Sequence, residues 1–179
     1  MWNIILIAAA AIVVLFVIVV ATRPSDFRVT RAARIAAPAE VVFANVNDLH
    51  KWEVWSPWAK MDPAAKSSFS GPESGPGASM TWSGNNKVGE GRMTITDSHP
   101  HEVIQIKLEF LRPFKATNAA EFTFKPEGGQ TQVTWSMSGK NNFMAKAIHL
   151  CINMDKMIGG QFERGLADLK SVAEAAGRK

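Results

Sequence analysis

Ionisable side chains beside apolar stretches are where proton chemistry would sit, and this chain offers Glu90, Arg92, His99, His101, Glu109, His149 and Asp155. Each has a plainer reading. Glu90 and Arg92 share a strand face opposite Met93 and Ile95, which suits a solvated ion pair. His99 and His101 flank Pro100 in a turn, and no third ligand at suitable spacing completes a metal site. Glu109 alternates with apolar residues and is expected to face out. Asp155, beside Met154, is expected either to look into a cavity mouth or to form an ion pair outside it, and His149 reads as a helix-flank residue. The chain lacks G-x-S-x-G, and "GPESGPG" has prolines where a phosphate cradle needs free N–H groups. Cys151 is the single cysteine, so an internal disulfide is excluded, and its apolar surroundings suit a buried structural thiol. No catalytic residue, metal or cofactor is assigned.

The apolar residues say more. Met80, Trp82, Met93, Ile95, Ile104 and Ile106 fall in phase on successive strands, as do Phe122, Phe124, Trp135 and Met137. Met154 and Ile158 face them from a helix. These residues make a pocket wall for an apolar ligand or a filled core. Eight methionines and no tyrosine favour a plastic, greasy cavity over one built for polar readout. Trp52, Trp55 and Trp58 follow at three-residue spacing, which admits a membrane belt, a base-stacking platform, a ligand wall or core. Pro57 breaks a continuous helix there, which places Trp58 in the following turn. Base stacking lacks a basic groove, and nucleic acid is not an expected partner. Trp52 and Trp55 are expected to brace the core, with Trp55 or Trp58 at the cavity rim.

The elements that position these residues follow from periodicity. Residues 4–21 run for eighteen positions without a polar side chain. As a helix this run spans roughly 27 Å, close to the ~30 Å hydrocarbon layer. It reads as a transmembrane anchor (residues 1–22), with a cleaved signal peptide as the alternative, although "MWN" lacks the usual positive charge. Arg23, Arg28, Arg31 and Arg34 follow, so the positive-inside rule puts the remainder in the cytoplasm, facing the inner (plasma) membrane; an extracytoplasmic domain is the alternative. Net charge is +4 and the pI about 9.4, and the clustered arginines suit an anionic lipid surface.

After a linker at 23–25, a domain at 26–179 begins with an alternating strand. Phe27, Val29 and Arg31 fall on one of its faces. Two short helices follow, then about six more strands. The last segment, 142–176, has apolar residues at three- and four-residue intervals and reads as one long helix, with a kink or close backbone approach at Gly159-Gly160. One-sided strands and an amphipathic helix bury their faces against each other.

Two stretches, "RIAAPAEVVFANVNDLHKWEVWSPW" and "MDKMIGGQFERGLADLK", resemble the opening and closing motifs of the START-related, polyketide-cyclase-like (SRPBCC) superfamily, in particular its membrane-anchored bacterial members of unassigned function. The resemblance implies an α+β helix-grip fold, a curved antiparallel sheet wrapped around a C-terminal helix, with a cavity between them. It implies binding of a hydrophobic small molecule or lipid. A cyclase or dehydratase acting on a hydrophobic substrate, and a structural or co-chaperone-like module, are its alternatives.

Overall fold

In a computed structural model of the chain, residues 1–150 and 152–177 are described. The reading of Cys151 as a buried thiol lies outside these residues. Helix α1 (Trp2–Thr22) carries the apolar run and is long and apolar enough to cross a membrane; Val20 is its one buried residue. Strand β1 (Asp26–Ile35) follows after three residues.

The seven strands form one antiparallel sheet in the order β1-β7-β6-β5-β4-β3-β2. The others are β2 (Lys66–Ser70), β3 (Ser79–Ser83), β4 (Glu90–His99), β5 (Val103–Arg112), β6 (Ala116–Glu127) and β7 (Gln130–Lys140). Alternation sets the faces: Ile104, Ile106, Phe122, Phe124, Val133, Trp135 and Met137 are buried, while their sequence neighbours mostly face water. The register passes this pattern across the sheet, placing Val29 opposite Met137, Met137 opposite Ala120 and Ala120 opposite Ile106. A one-residue slip would turn every one of these side chains to water.

Helix α2 (Ala39–Asn47) starts after Pro38 and buries Val42, Phe43 and Val46. Asp48 then accepts the His50 N–H, capping a 3-10 turn at Leu49–Lys51 that runs into α3 (Trp52–Trp55). Here the sequence reading needs correction. Trp58 is not in a turn but on a third short helix, α4 (Pro57–Met61), because Pro57 sits at a first helical position, where its missing N–H costs nothing.

The C-terminal segment also differs from one continuous helix. It divides into α5 (Phe143–His149) and α6 (Met154–Ala176). Asn142 accepts the Ala145 N–H and Asn153 accepts the Lys156 N–H, so each piece has its own side-chain cap. Helix α6 lies along β1 and buries Phe162, Leu166, Leu169 and Ala173. It comes so close to the sheet that a β-carbon on Gly165 would lie 2.8 Å from the Trp135 ring and 2.9 Å from Pro57.

Candidate functional site

The concave face of the sheet has two unlike halves. In the half beneath the middle of α6, large rings fill the space. Trp135 stacks on Phe162 of α6 at 4.1 Å between centroids and on Phe122 at 4.7 Å. Trp55 packs edge-on against Trp135 at 5.8 Å and tilts over Trp52 at 4.5 Å. The indoles of α3 are held by the chain just before them, Trp52 Nε1 donating to the Val46 carbonyl and Trp55 Nε1 to that of Asn45. Of the sequence-predicted wall, Trp55, Phe122, Trp135, Ile95, Ile104 and Ile106 are buried here or beside it, Trp55 with 0% exposure. Trp58 is half-buried at the block's edge, meeting Trp135 at 5.7 Å and Phe162 at 6.2 Å.

The other half lies toward the end of the sheet from which α1 emerges, and it is less covered. One row runs Phe27, Gly139, Asn118, Leu108, Met93, Met80 and Phe69 across strands β1, β7, β6, β5, β4, β3 and β2. Phe27, Asn118, Leu108 and Phe69 of that row are only partly buried. Trp82 and Phe110 lie in the next row and meet edge-to-face at 5.8 Å. Gly91 makes room for that indole, since a β-carbon there would lie 2.6 Å from it. Gly139 likewise lies under Asn118 and Phe27, where a β-carbon would meet both. Ile158 and Met154 of α6 are half-buried, and Met137 is buried behind the Asn118 amide, whose Nδ2 donates to its Sδ at 3.9 Å.

Polar groups are few and mostly neutral. Trp135 Nε1 and Gln161 Oε1 are buried without a hydrogen-bond partner among the described residues, one a donor and one an acceptor. Such orphans inside a native fold call for a water or a ligand.

The charged residues work as a clamp. Arg31 lies opposite Trp135 in the β1–β7 register, and its Nε donates to Glu163 at 2.6 Å while Nη2 donates to Asp155 at 2.9 Å. The hydrogen bonds to Asp155 and then Glu163 push the guanidinium further above its already high value. Reciprocally, the Arg31 hydrogen bond holds the Asp155 carboxyl below its ordinary value. Asp155 thus ties α6 to β1. Glu90, expected to pair with Arg92, pairs instead with Arg112 at 3.6 Å, because β4 sets Glu90 and Arg112 opposite each other. His99 pairs with Asp97 at 3.1 Å, and His101 packs edge-on to Phe43 at a positive φ of 63°. No group of three potential metal ligands occurs among the described residues.

Two surface clefts lie outside the space beneath α6, the second of them at the Phe69 end of the open row. One of about 320 Å³ runs along α2 between Glu40, Lys51 and His101, and one of about 190 Å³ lies between His50, Phe69 and the 71–73 loop.

Leu108, Phe110, Phe27, Asn118, Phe162 and Gln161 were not among the residues expected to line the site. For Leu108 and Phe110 the signal was present, as both share the strand face of Ile104 and Ile106. Asn118 had none, since only the pairing of β6 with β5 and β7 brings it into the row.

A family model described as polyketide cyclase / dehydrase and lipid transport matches residues 26–174. The chain belongs to this family. Solved structures of similar shape include protein CV1439 from Chromobacterium violaceum, with a TM-score of 0.59 and 15% identity over 85% of this chain and 99% of that one. The Aha1 dimer from Colwellia psychrerythraea has a TM-score of 0.59 and 14% identity over 83% of this chain and 96% of that one. The di-domain ARO/CYC protein BexL of the BE-7585A biosynthetic pathway matches with a TM-score of 0.60 and 19% identity, over 87% of this chain and 52% of its own length. No curated protein matches the sequence. At these identities the likeness shows the fold, which is the helix-grip fold of the polyketide-cyclase-like superfamily.

Proposed function

We propose that this polyketide-cyclase-like chain is a membrane-anchored domain that binds a hydrophobic small molecule or lipid, without covalent chemistry, on the open half of its concave face. The observation that carries this reading is the contrast between the halves. Stacked rings close one, whereas the other presents partly buried Phe27, Leu108, Trp82 and Phe110. Apolar area left half-wet in this way gains by roughly 25 cal/mol per Å² when a ligand covers it. Met80, Met93, Met137 and Met154 adapt to different ligand shapes, with Ile158 on α6 and Trp58 at the edge of the ring block as further apolar contacts. The rings of Trp55, Phe122 and Trp135, with Ile95, Ile104 and Ile106, form the rigid floor behind. Asn118 offers a neutral amide for one polar group on an otherwise apolar ligand.

The family description supports this, because polyketide chemistry and lipid transport both handle apolar molecules. In this reading helix α1 holds the domain at the bilayer, and the arginines after it favour the cytoplasmic side.

The test uses the full-length protein in detergent, delipidated and then offered a fluorescent fatty acid. Saturable uptake, competed by unlabelled lipid and accompanied by a one-to-one adduct in native mass spectrometry, is the expected result. No bound ligand and no competition would overturn it.

A further inference from the structure

The end of the sheet from which α1 emerges carries large apolar side chains that the fold leaves uncovered. At the tip of the β5–β6 hairpin, Leu111 is 53% and Phe114 66% exposed. In the first turn of α5, Phe143 is 49% and Met144 61% exposed.

Strand register sets how far the hairpin reaches. Asp26 faces Lys140, whose neighbour Gly139 faces Asn118, and Thr117 in turn faces Glu109. Asp26 is therefore level with Glu109 and Thr117, so residues 111–115 project beyond it by two or three residues, about 7–10 Å. That is the direction taken by 23–25 on the way to α1. Strand β5 is three places from β1 in the sheet, about 14 Å to the side. Helix α5 reaches the same level, for it touches α1, whose last turn contains buried Val20.

Charge at this end fits a lipid surface. Lys115 follows Phe114, Lys140 precedes α5, Lys146 lies within it and Arg23 ends α1. Of the acids, Glu90 is engaged by Arg112 and Glu109 by Lys107, Asp62 accepts the N–H groups of Ala64 and Asn85, and Asp26 is exposed. Exposed apolar side chains interleaved with lysines are the composition that settles at the boundary between headgroups and acyl chains.

We infer that the β5–β6 hairpin tip and α5 lie in the interface of the same bilayer that α1 enters, so that the open half of the concave face looks toward lipid. The inference rests on the proposed anchoring and deepens it. A ligand would then pass between bilayer and site without crossing water.

The experiment uses nitroxide labels on the full-length Cys151→Ser chain in nanodiscs of phosphatidylcholine and phosphatidylglycerol. Separate variants carry Ile12→Cys in α1, Phe114→Cys, Met144→Cys, and Gln130→Cys at the far end of the sheet. All four are exposed positions, and circular dichroism confirms folding of each. The expected result is an oxygen-to-nickel-chelate accessibility ratio at 12, 114 and 144 that exceeds the one at 130 by roughly threefold or more. If 12 is in lipid while 114 and 144 match 130, the inference is overturned and the anchor stands. If 12 matches 130 as well, both fail. Protection of 114 from oxygen and nickel alike would mean a protein cover there, and would overturn the inference.

Discussion

The guanidinium of Arg31 occupies the space that a side chain on Gly159 would need. The contact joins the sheet edge to the first half of α6 and explains one glycine of a helical pair. Gly160 beside it has open space, with no atom within 4 Å of where a methyl group would stand. Gly159→Ala is expected to lower stability by about 1–3 kcal/mol through overpacking against Arg31. Gly160→Ala should raise it by about 0.5–1 kcal/mol, the ordinary helix-propensity gain. Urea unfolding of the two variants in detergent, followed by circular dichroism, should show opposite signs.

The Asp155 carboxyl, held below its ordinary value by Arg31, makes the clamp sensitive to acid. A depressed carboxyl contributes stability above its unfolded value, ~4, and that contribution is lost as pH falls through the lower folded value. The midpoint difference between wild type and Asp155→Asn should be present at pH 7 and shrink below about pH 4. A difference that is constant with pH would show that the carboxyl's charge is not the cause.

Trp55 is completely buried, with its indole N–H satisfied by the Asn45 carbonyl. Trp55→Ala should therefore cost about 3–5 kcal/mol and leave an acceptor without its donor. Trp58, half-buried at the block's edge, should cost less when cut to Ala and should weaken fatty-acid uptake at temperatures where the variant is folded. Denaturation and probe titration on the same samples separate the two effects.

Gln161 presents a buried carbonyl oxygen without a partner. Gln161→Leu has a similar volume and removes that acceptor, so the ligand-free protein should gain about 1 kcal/mol or more. Thermal unfolding after delipidation would measure it, and a loss of stability would mean that water satisfies the group in the ligand-free protein.

Which side of the membrane the domain occupies can be tested with reporters, the cytoplasm being the side proposed. A C-terminal green fluorescent protein should be bright and a C-terminal alkaline phosphatase inactive, since four arginines follow α1 closely. The reverse pattern would put the domain on the other side.

Local pattern made the sheet legible and hid its long-range joints. Ile104, Ile106, Leu108 and Phe110 announce their strand by alternation alone, and Pro38 marks the start of α2. Asn142 and Asn153 are cap residues in an unbroken apolar rhythm, so the rhythm reads as a single helix although the caps divide it. Arg31 sits at an inward position of β1, and its partners lie on the opposite side of the chain's length, at 155 and 163. Pairing of that kind leaves no trace in a window of ten residues. The open half was obscured for the same reason. Buried and half-buried residues there share one alternation, and only the position of α6 separates them.

The sheet ends on β2, a five-residue strand made of Lys66, three serines and Phe69, and on β1, which carries arginines at 28, 31 and 34. Copies tethered in one bilayer would stand at equal height and share an orientation, conditions under which unpaired strands meet side by side far more often than in free solution. One flank is short and polar, and on the other the arginines are ion-paired, Arg28 with Glu121, Arg31 with Asp155 and Glu163, and Arg34 with Glu127, so neither edge offers a long apolar strand for a neighbour to pair with. If α1 anchors the domain as proposed, crowding in the plane of a membrane would meet two outermost strands whose composition disfavours strand addition.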